Sequence, residues 1–132
     1  MYRKAGIREQ LCLKIFNKIY KNWDRKQYQE YLKKFRLPEK KEIKTFSKGM
    51  QVKLSLAVAL SHHAKLLILD EATSGLDPVM GDEILDIFLD FVQDEEHSIL
   101  VSSHITSDLE KIADYITFID NGRVLMSKPK DE

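Results

Sequence analysis

The segment LLIL at residues 66–69 runs straight into two carboxylates, Asp70 and Glu71, and then into the turn-forming stretch SGLDP at 74–78. Four apolar residues are too few for a helix and suit a strand covered on both faces. Gly75 supplies turn freedom, while Asp77 and Pro78 read as the N-cap and first position of a new helix. That helix is predicted to run to about residue 93, with Met80, Ile84, Ile87, Phe88, Phe91 and Val92 on its apolar side. SILVS at 98–102 is a second buried strand, and Ser107 to Glu110 reads as a capping box opening a short helix to about 113. YITFI at 115–119 is a third strand. The turn DNG then leads into an antiparallel edge strand at 123–127. The order β-α-β-α-β-β with nearly continuous apolar strands predicts an α/β chain, a mostly parallel sheet flanked by helices.

The front of the chain has a different period. Residues 7–22 place apolar side chains at 7, 11, 15, 16 and 19, and residues 25–36 repeat the pattern with Tyr28, Tyr31, Leu32 and Phe35. Asp24 suits the N-cap of the second helix, and Pro38 ends it. A third helix is expected over about 48–62, capped by Ser47, with Met50, Leu54, Ala57, Val58 and Ser61 on its apolar side. Residues 1–62 thus form a helical subdomain and 63–132 an α/β core. The charge divides along nearly the same line. Residues 1–53 hold 16 Lys/Arg and 5 Asp/Glu, giving +11, and residues 54–132 hold 5 and 16, giving −11. Such a split implies two faces with different partners, unless the basic one is simply a solvated helical face. A single cysteine, Cys12, excludes an internal disulfide, and it lies in an apolar patch. With no long apolar span and no leader-like start, the chain reads as cytosolic.

Ligands of open α/β sheets bind beyond the carboxyl ends of the strands. Asp70 and Glu71 follow the first strand there, Ser103 and His104 the second, and the Asp-Asn-Gly turn the third. An aspartate at the tip of a buried strand, with an acidic neighbour, suits the holding of Mg²⁺ and the steering of a water in nucleotide hydrolysis. Alone, the pair is as well explained by a surface or capping role. Together with SGLD and a histidine one strand later, it points to a site. His62 and His63 sit at a helix C-terminus, where positive charge is favoured. Trp23, Tyr28 and Tyr31 read as packing.

FSKGMQVKLSLAVAL, LLILDEATSGLD and VSSHITSDLEKIADYITFIDNG, in that order, resemble the nucleotide-binding domain of ATP-binding cassette (ABC) transporters over residues 45–127. FSKGM at 46–50 matches the signature motif, LLILDE the Walker B strand, SGLD at 74–77 the D-loop and His104 the switch histidine. The resemblance implies a P-loop ATPase fold present in part, binding ATP and Mg²⁺. Asp70 would hold the metal through its second shell, and Glu71 would act as general base. His104 would contact the γ-phosphate. Ser47 and the amides of Lys48 and Gly49 would meet the γ-phosphate of ATP on the opposite subunit, with Asp77 across the dimer interface. The partners so implied are a membrane-spanning permease subunit and a second ATPase subunit arranged head to tail, with no nucleic acid. The place implied is peripheral, at the cytoplasmic face of the membrane.

Lys48 and Met50 depart from the glycine and glutamine usual in the signature, and Ala72 stands where proline is usual. No glycine here opens a G-x-x-x-x-G-K-[ST] phosphate loop. The chain therefore reads as the C-terminal portion of an ABC domain lacking Walker A, and is expected to be inactive by itself. The Walker A strand of the family lies between the strands matching 98–102 and 115–119, so those two are expected to leave a gap, or to pair with each other or with another chain. Two alternatives stay open. One is a non-transport ABC protein acting on nucleic acid or the ribosome; the other is a short interaction module pairing with a full ABC subunit.

Overall fold

The computed structural model describes residues 15–38 and 40–132. The first half of the first helix expected, 7–22, therefore lies outside the described residues. Its visible end is a single turn, α1 (Asn17–Ile19). Helix α2 (Arg25–Lys34) follows, and the Asp24 side chain accepts from the Gln27 amide at 2.9 Å, as its capping role requires. A 3-10 turn (Ile43–Thr45) leads to α3 (Lys48–Leu60), capped by Ser47 Oγ, which accepts from the Met50 amide. Then come β1 (Leu66–Asp70), α4 (Pro78–Phe91), β2 (Ser98–Ser102), α5 (Thr106–Ile112), β3 (Tyr115–Asp120) and β4 (Arg123–Pro129). Asp77 caps α4 by accepting from the Met80 amide at 2.9 Å, with Pro78 in the first turn.

β1 and β2 pair in parallel in the register Leu66↔Ser98 through Asp70↔Ser102, and β3 and β4 form a separate antiparallel hairpin. The gap expected between 98–102 and 115–119 is thus present, since no strand among the described residues bridges β2 and β3. At the hairpin tip Asn121 and Gly122 both take positive φ, 45° and 74°, the backbone a tight two-residue turn demands.

The core lies between the helices and one face of β1. Tyr28, Leu32 and Phe35 of the α2 region meet Leu56, Ala57 and Leu60 of α3, Ile84, Leu85, Phe88 and Phe91 of α4, and Leu67. Tyr28 is buried and Trp23 and Tyr31 pack against it, as expected. Three expectations need correction. The inner face of α3 is Gly49, Lys53, Leu56, Ala57 and Leu60, rather than Met50, Leu54 and Val58. A helix apolar on nearly all sides offers no single stripe to read, and a lysine at its centre hides the true one. The capping box at Ser107 does not form: α5 begins at Thr106 after Ile105, with no side-chain cap, and the turn before it is held by Ser103 Oγ accepting from the Ile105 amide at 3.0 Å. Finally, the strands are not buried on both faces. Within β1 and β2 only Leu67 is buried, whereas Ile68 is 71% and Leu100 64% exposed. Nothing among the described residues covers that second face. No helix among them is long and apolar enough to cross a membrane.

Candidate functional site

Because side chains alternate along a strand, Asp70 shares the uncovered face of β1 with Leu66 and Ile68. Its register partner Ser102 stands beside it on β2 and donates its hydroxyl to Asp70 Oδ1. The Glu71 amide donates to the Ser102 carbonyl at 3.0 Å, which carries the pairing one residue past the strand. Glu71 itself has φ 51°, the left-handed region that a residue with a β-carbon enters only at a cost. That twist turns its carboxylate toward the end of β2, where His104 Nδ1 lies 3.0 and 2.9 Å from its two oxygens. An ionised carboxylate only accepts, so Nδ1 carries the proton in this contact. The pair is solvent-facing, with His104 the more exposed partner. Asp70, Glu71, Ser102 and His104 thus form one cluster at the carboxyl ends of two parallel strands.

A second cluster lies where α3 and α4 begin. Gly49 packs on Met80 so closely that a β-carbon there would sit 2.5 Å from Met80 Cγ. Lys48 extends across Gly75, with Nζ 2.9 Å from the place a β-carbon of that residue would take. Gly75 has φ 72°. The helix starts capped by Ser47 and Asp77 are therefore neighbours, joined through Gly49–Met80 and Lys48–Gly75. The Asp-Asn-Gly turn belongs to the separate hairpin and joins neither cluster through any hydrogen bond among the described residues.

A sequence profile of ABC transporters matches residues 3–74, more than half of the chain. The chain belongs to the ABC transporter family. The lantibiotic transport ATP-binding protein SrtF of Streptococcus pyogenes is 43% identical over 93 residues, covering 70% of this chain and 40% of that protein. The ABC transporter ATP-binding protein YtrB of Bacillus subtilis is 30% identical over 118 residues, and the bacitracin transport ATP-binding protein BcrA of Bacillus licheniformis 39% over 92. This chain covers 40% and 30% of those two proteins, so it spans well under half of the curated relatives it matches. In three dimensions it resembles CbiO1 of Clostridium perfringens, part of the ABC transporter complex CbiONQ, with a TM-score of 0.66 at 26% identity, over 80% of this chain and 43% of that one. The dimeric ATP-binding cassette MJ0796, bound to ADP and Pi, shares the fold with a TM-score of 0.69 at 21% identity, over 80% and 46% of the two chains.

ABC ATPases bind ATP with Mg²⁺, and the donor set here suits that metal. Asp70 offers a carboxylate with one oxygen engaged by a hydroxyl, and Mg²⁺ favours hard oxygen ligands, typically one or two carboxylates completed by waters and phosphates. No group of three or more His, Cys, Asp or Glu among the described residues forms an all-protein cage. Two residues bonded to this region escape a reading of the sequence. Ser102 emerges only from the strand register, although aligning the two five-residue strands end to end would have placed it beside Asp70. The other, Thr73, donates to Asp108 Oδ2 at 2.6 Å and ties the loop after Glu71 to α5. That helix is tied in turn to α4 by Lys111 donating to Asp82 at 2.7 Å, a contact that raises the lysine pKa.

Proposed function

We propose that the chain is the helical and switch-bearing portion of an ATP-hydrolysing subunit of an ABC transporter. Residues 1–62 would be the helical subdomain and 63–132 part of the ATPase core. The observation that carries this reading is the Glu71–His104 contact at the ends of two parallel strands, directly after Asp70. Asp70 would hold Mg²⁺, and the metal would supply neutralisation of phosphate charge. Glu71 would take the proton of the attacking water. His104 Nδ1–H, close to both carboxylate oxygens, can hold one while the other receives that proton. If the ring also donates to a γ-phosphate through Nε2, it must carry both protons. Ser47, Lys48 and Gly49 would meet the phosphates of ATP held by a second subunit, where free helix amides and a lysine favour negative charge. Asp77 would lie at that interface.

The uncovered face of β1–β2 and the gap beside β2 support a further part of the reading: the site is completed by polypeptide outside these residues, which carries the phosphate loop. Partners would be a membrane-spanning permease and a second ATPase subunit, with the chain peripheral at the cytoplasmic face of the membrane. The names of SrtF and BcrA suggest a peptide antibiotic as the transported cargo. A chimera tests the proposal. Residues 46–127 would replace the matching segment of SrtF, and ATP turnover would be measured with and without Glu71→Gln. Turnover in the chimera, lowered at least about 100-fold by Glu71→Gln, is expected, since a positioned general base contributes about 10²–10⁴-fold. A chimera that turns over ATP equally well with Glu71→Gln and with His104→Ala would overturn the assignment.

A further inference from the structure

The turn at 15–21 and the outer side of α2 form a patch that the proposed ATP chemistry does not use. Ile15 is 42% and Ile19 62% exposed, four residues apart and so on one side of the turn. Lys18 and Lys21 are exposed between and beside them, and Arg25 and Lys26 open α2 directly after. At its far end Lys33 lies seven residues from Lys26, hence on the same outer side. None of these five cations has an ion-pair partner among the described residues. Asp24 is already engaged by the Gln27 amide and by His63, and Glu30 is exposed on the same outer side between Lys26 and Lys33, so the patch sets five cations against two carboxylates. Beneath the patch sits an aromatic floor: Phe16, Tyr20 and Trp23 are in mutual contact, with centroids 5.1–6.2 Å apart, and Tyr20 stacks on His62.

We infer that this patch binds the surface of an anionic lipid bilayer directly. Charge complementarity alone would admit any polyanion, but Ile15 and Ile19 narrow the choice. A nucleic acid or an acidic peptide would neutralise the lysines and leave two isoleucines in water. A bilayer interface accepts both, with isoleucine at the headgroup–acyl boundary and the ammonium groups among lipid phosphates. The inference does not depend on ATP binding and would stand or fall separately from the function proposed above.

The test uses the whole chain with vesicles of phosphatidylcholine alone and of phosphatidylcholine mixed with phosphatidylglycerol. Binding is read by co-sedimentation and by the emission of Trp23, the chain's one tryptophan, which lies under the patch. Binding to the mixed vesicles at least about tenfold tighter than to the neutral ones is expected. It should collapse between about 0.1 M and about 1 M salt, as the screening length falls from about 10 Å to about 3 Å. Lys18→Gln with Lys21→Gln should weaken it about 25-fold, at about fivefold per charge. Ile15→Ser with Ile19→Ser should weaken it too, while Lys128→Gln with Lys130→Gln on the distant hairpin should not. Circular dichroism of each variant without lipid separates loss of binding from loss of fold, and the salt series on the unmodified chain needs no variant. Equal binding to neutral vesicles, no binding to mixed ones, or full binding by the isoleucine variant would overturn the inference. So would retention on duplex DNA or polyglutamate in place of vesicles.

Discussion

Lys53 is the residue whose placement departs furthest from its type. It is 7% exposed inside α3, where its Nζ donates to Glu83 of α4 at 2.5 Å and lies 3.5 Å from the Phe35 carbonyl. The two partners differ in their access to water: the Glu83 side chain is 48% exposed and the Lys53 side chain 9%. Removing one or the other should therefore have unequal effects. Lys53→Met keeps the apolar stem and leaves a glutamate that water can still solvate, so stability should change by about 1 kcal/mol or less. Glu83→Gln strands an ammonium in the interior and should cost about 2 kcal/mol or more. Urea denaturation of the two variants measures the asymmetry, and equal losses would mean that the pair is solvated alike on both sides. Glu71 shows the other kind of departure, a strained backbone at the end of a strand. The strain is held by its amide bonding to Ser102 and its carbonyl accepting from the Ser74 amide at 3.1 Å, and it aims a carboxylate at His104.

Among the elements, α3 and α4 are the pair whose spacing sets the second cluster. They touch at Gly49–Met80 near their starts and at Lys53–Glu83 one turn further on, so each start is fixed relative to the other. Gly49→Ala should destabilise the chain by about 1 kcal/mol. The overpacking against Met80, about 1–3 kcal/mol, outweighs the gain of at most about 1 kcal/mol in helix propensity. In a Met80→Ala background the clash disappears and the same substitution should become neutral or stabilising. A double-mutant cycle by chemical denaturation reads this directly, and additive effects would mean the two helices do not interlock there. What the sequence revealed at this scale follows the range of the forces involved. Ser47, Asp77 and Asp24 could be recognised as caps because a cap bonds an amide three residues away. The start of α5 could not, because Ser103 holds the turn from outside the helix. The buried stripe of α3 was hidden by its lysine, and Ser102 by a register that no local pattern encodes.

For the molecule as a whole, the decisive feature is that the parallel pair has one dry face and one wet one. The apolar runs of β1 and β2 suit strands covered on both faces, as parallel strands usually are. A run of leucine, isoleucine and valine, however, states only that a strand can be buried, not that the same chain supplies both layers. Register neighbours make the contrast sharp. Leu67, 4% exposed, points into the helices, while the next residue, Ile68, faces outward opposite Leu100 across the ladder. Leu67→Ala should therefore cost about 2–5 kcal/mol, as removal of a fully packed leucine does. Ile68→Thr combined with Leu100→Thr keeps or raises β-propensity and should change stability by about 0.5 kcal/mol or less per site. The double variant should also bind less of an apolar dye and scatter less light at high concentration, since exposed apolar patches and open strand edges drive association. If the threonines instead destabilise the chain as much as Leu67→Ala, the outer face is covered in solution, and self-association is the first source of that cover to examine. If they do not, the same surface that carries Asp70 at its carboxyl end is open along its whole length, ready for the further layer that the proposed ATP site requires.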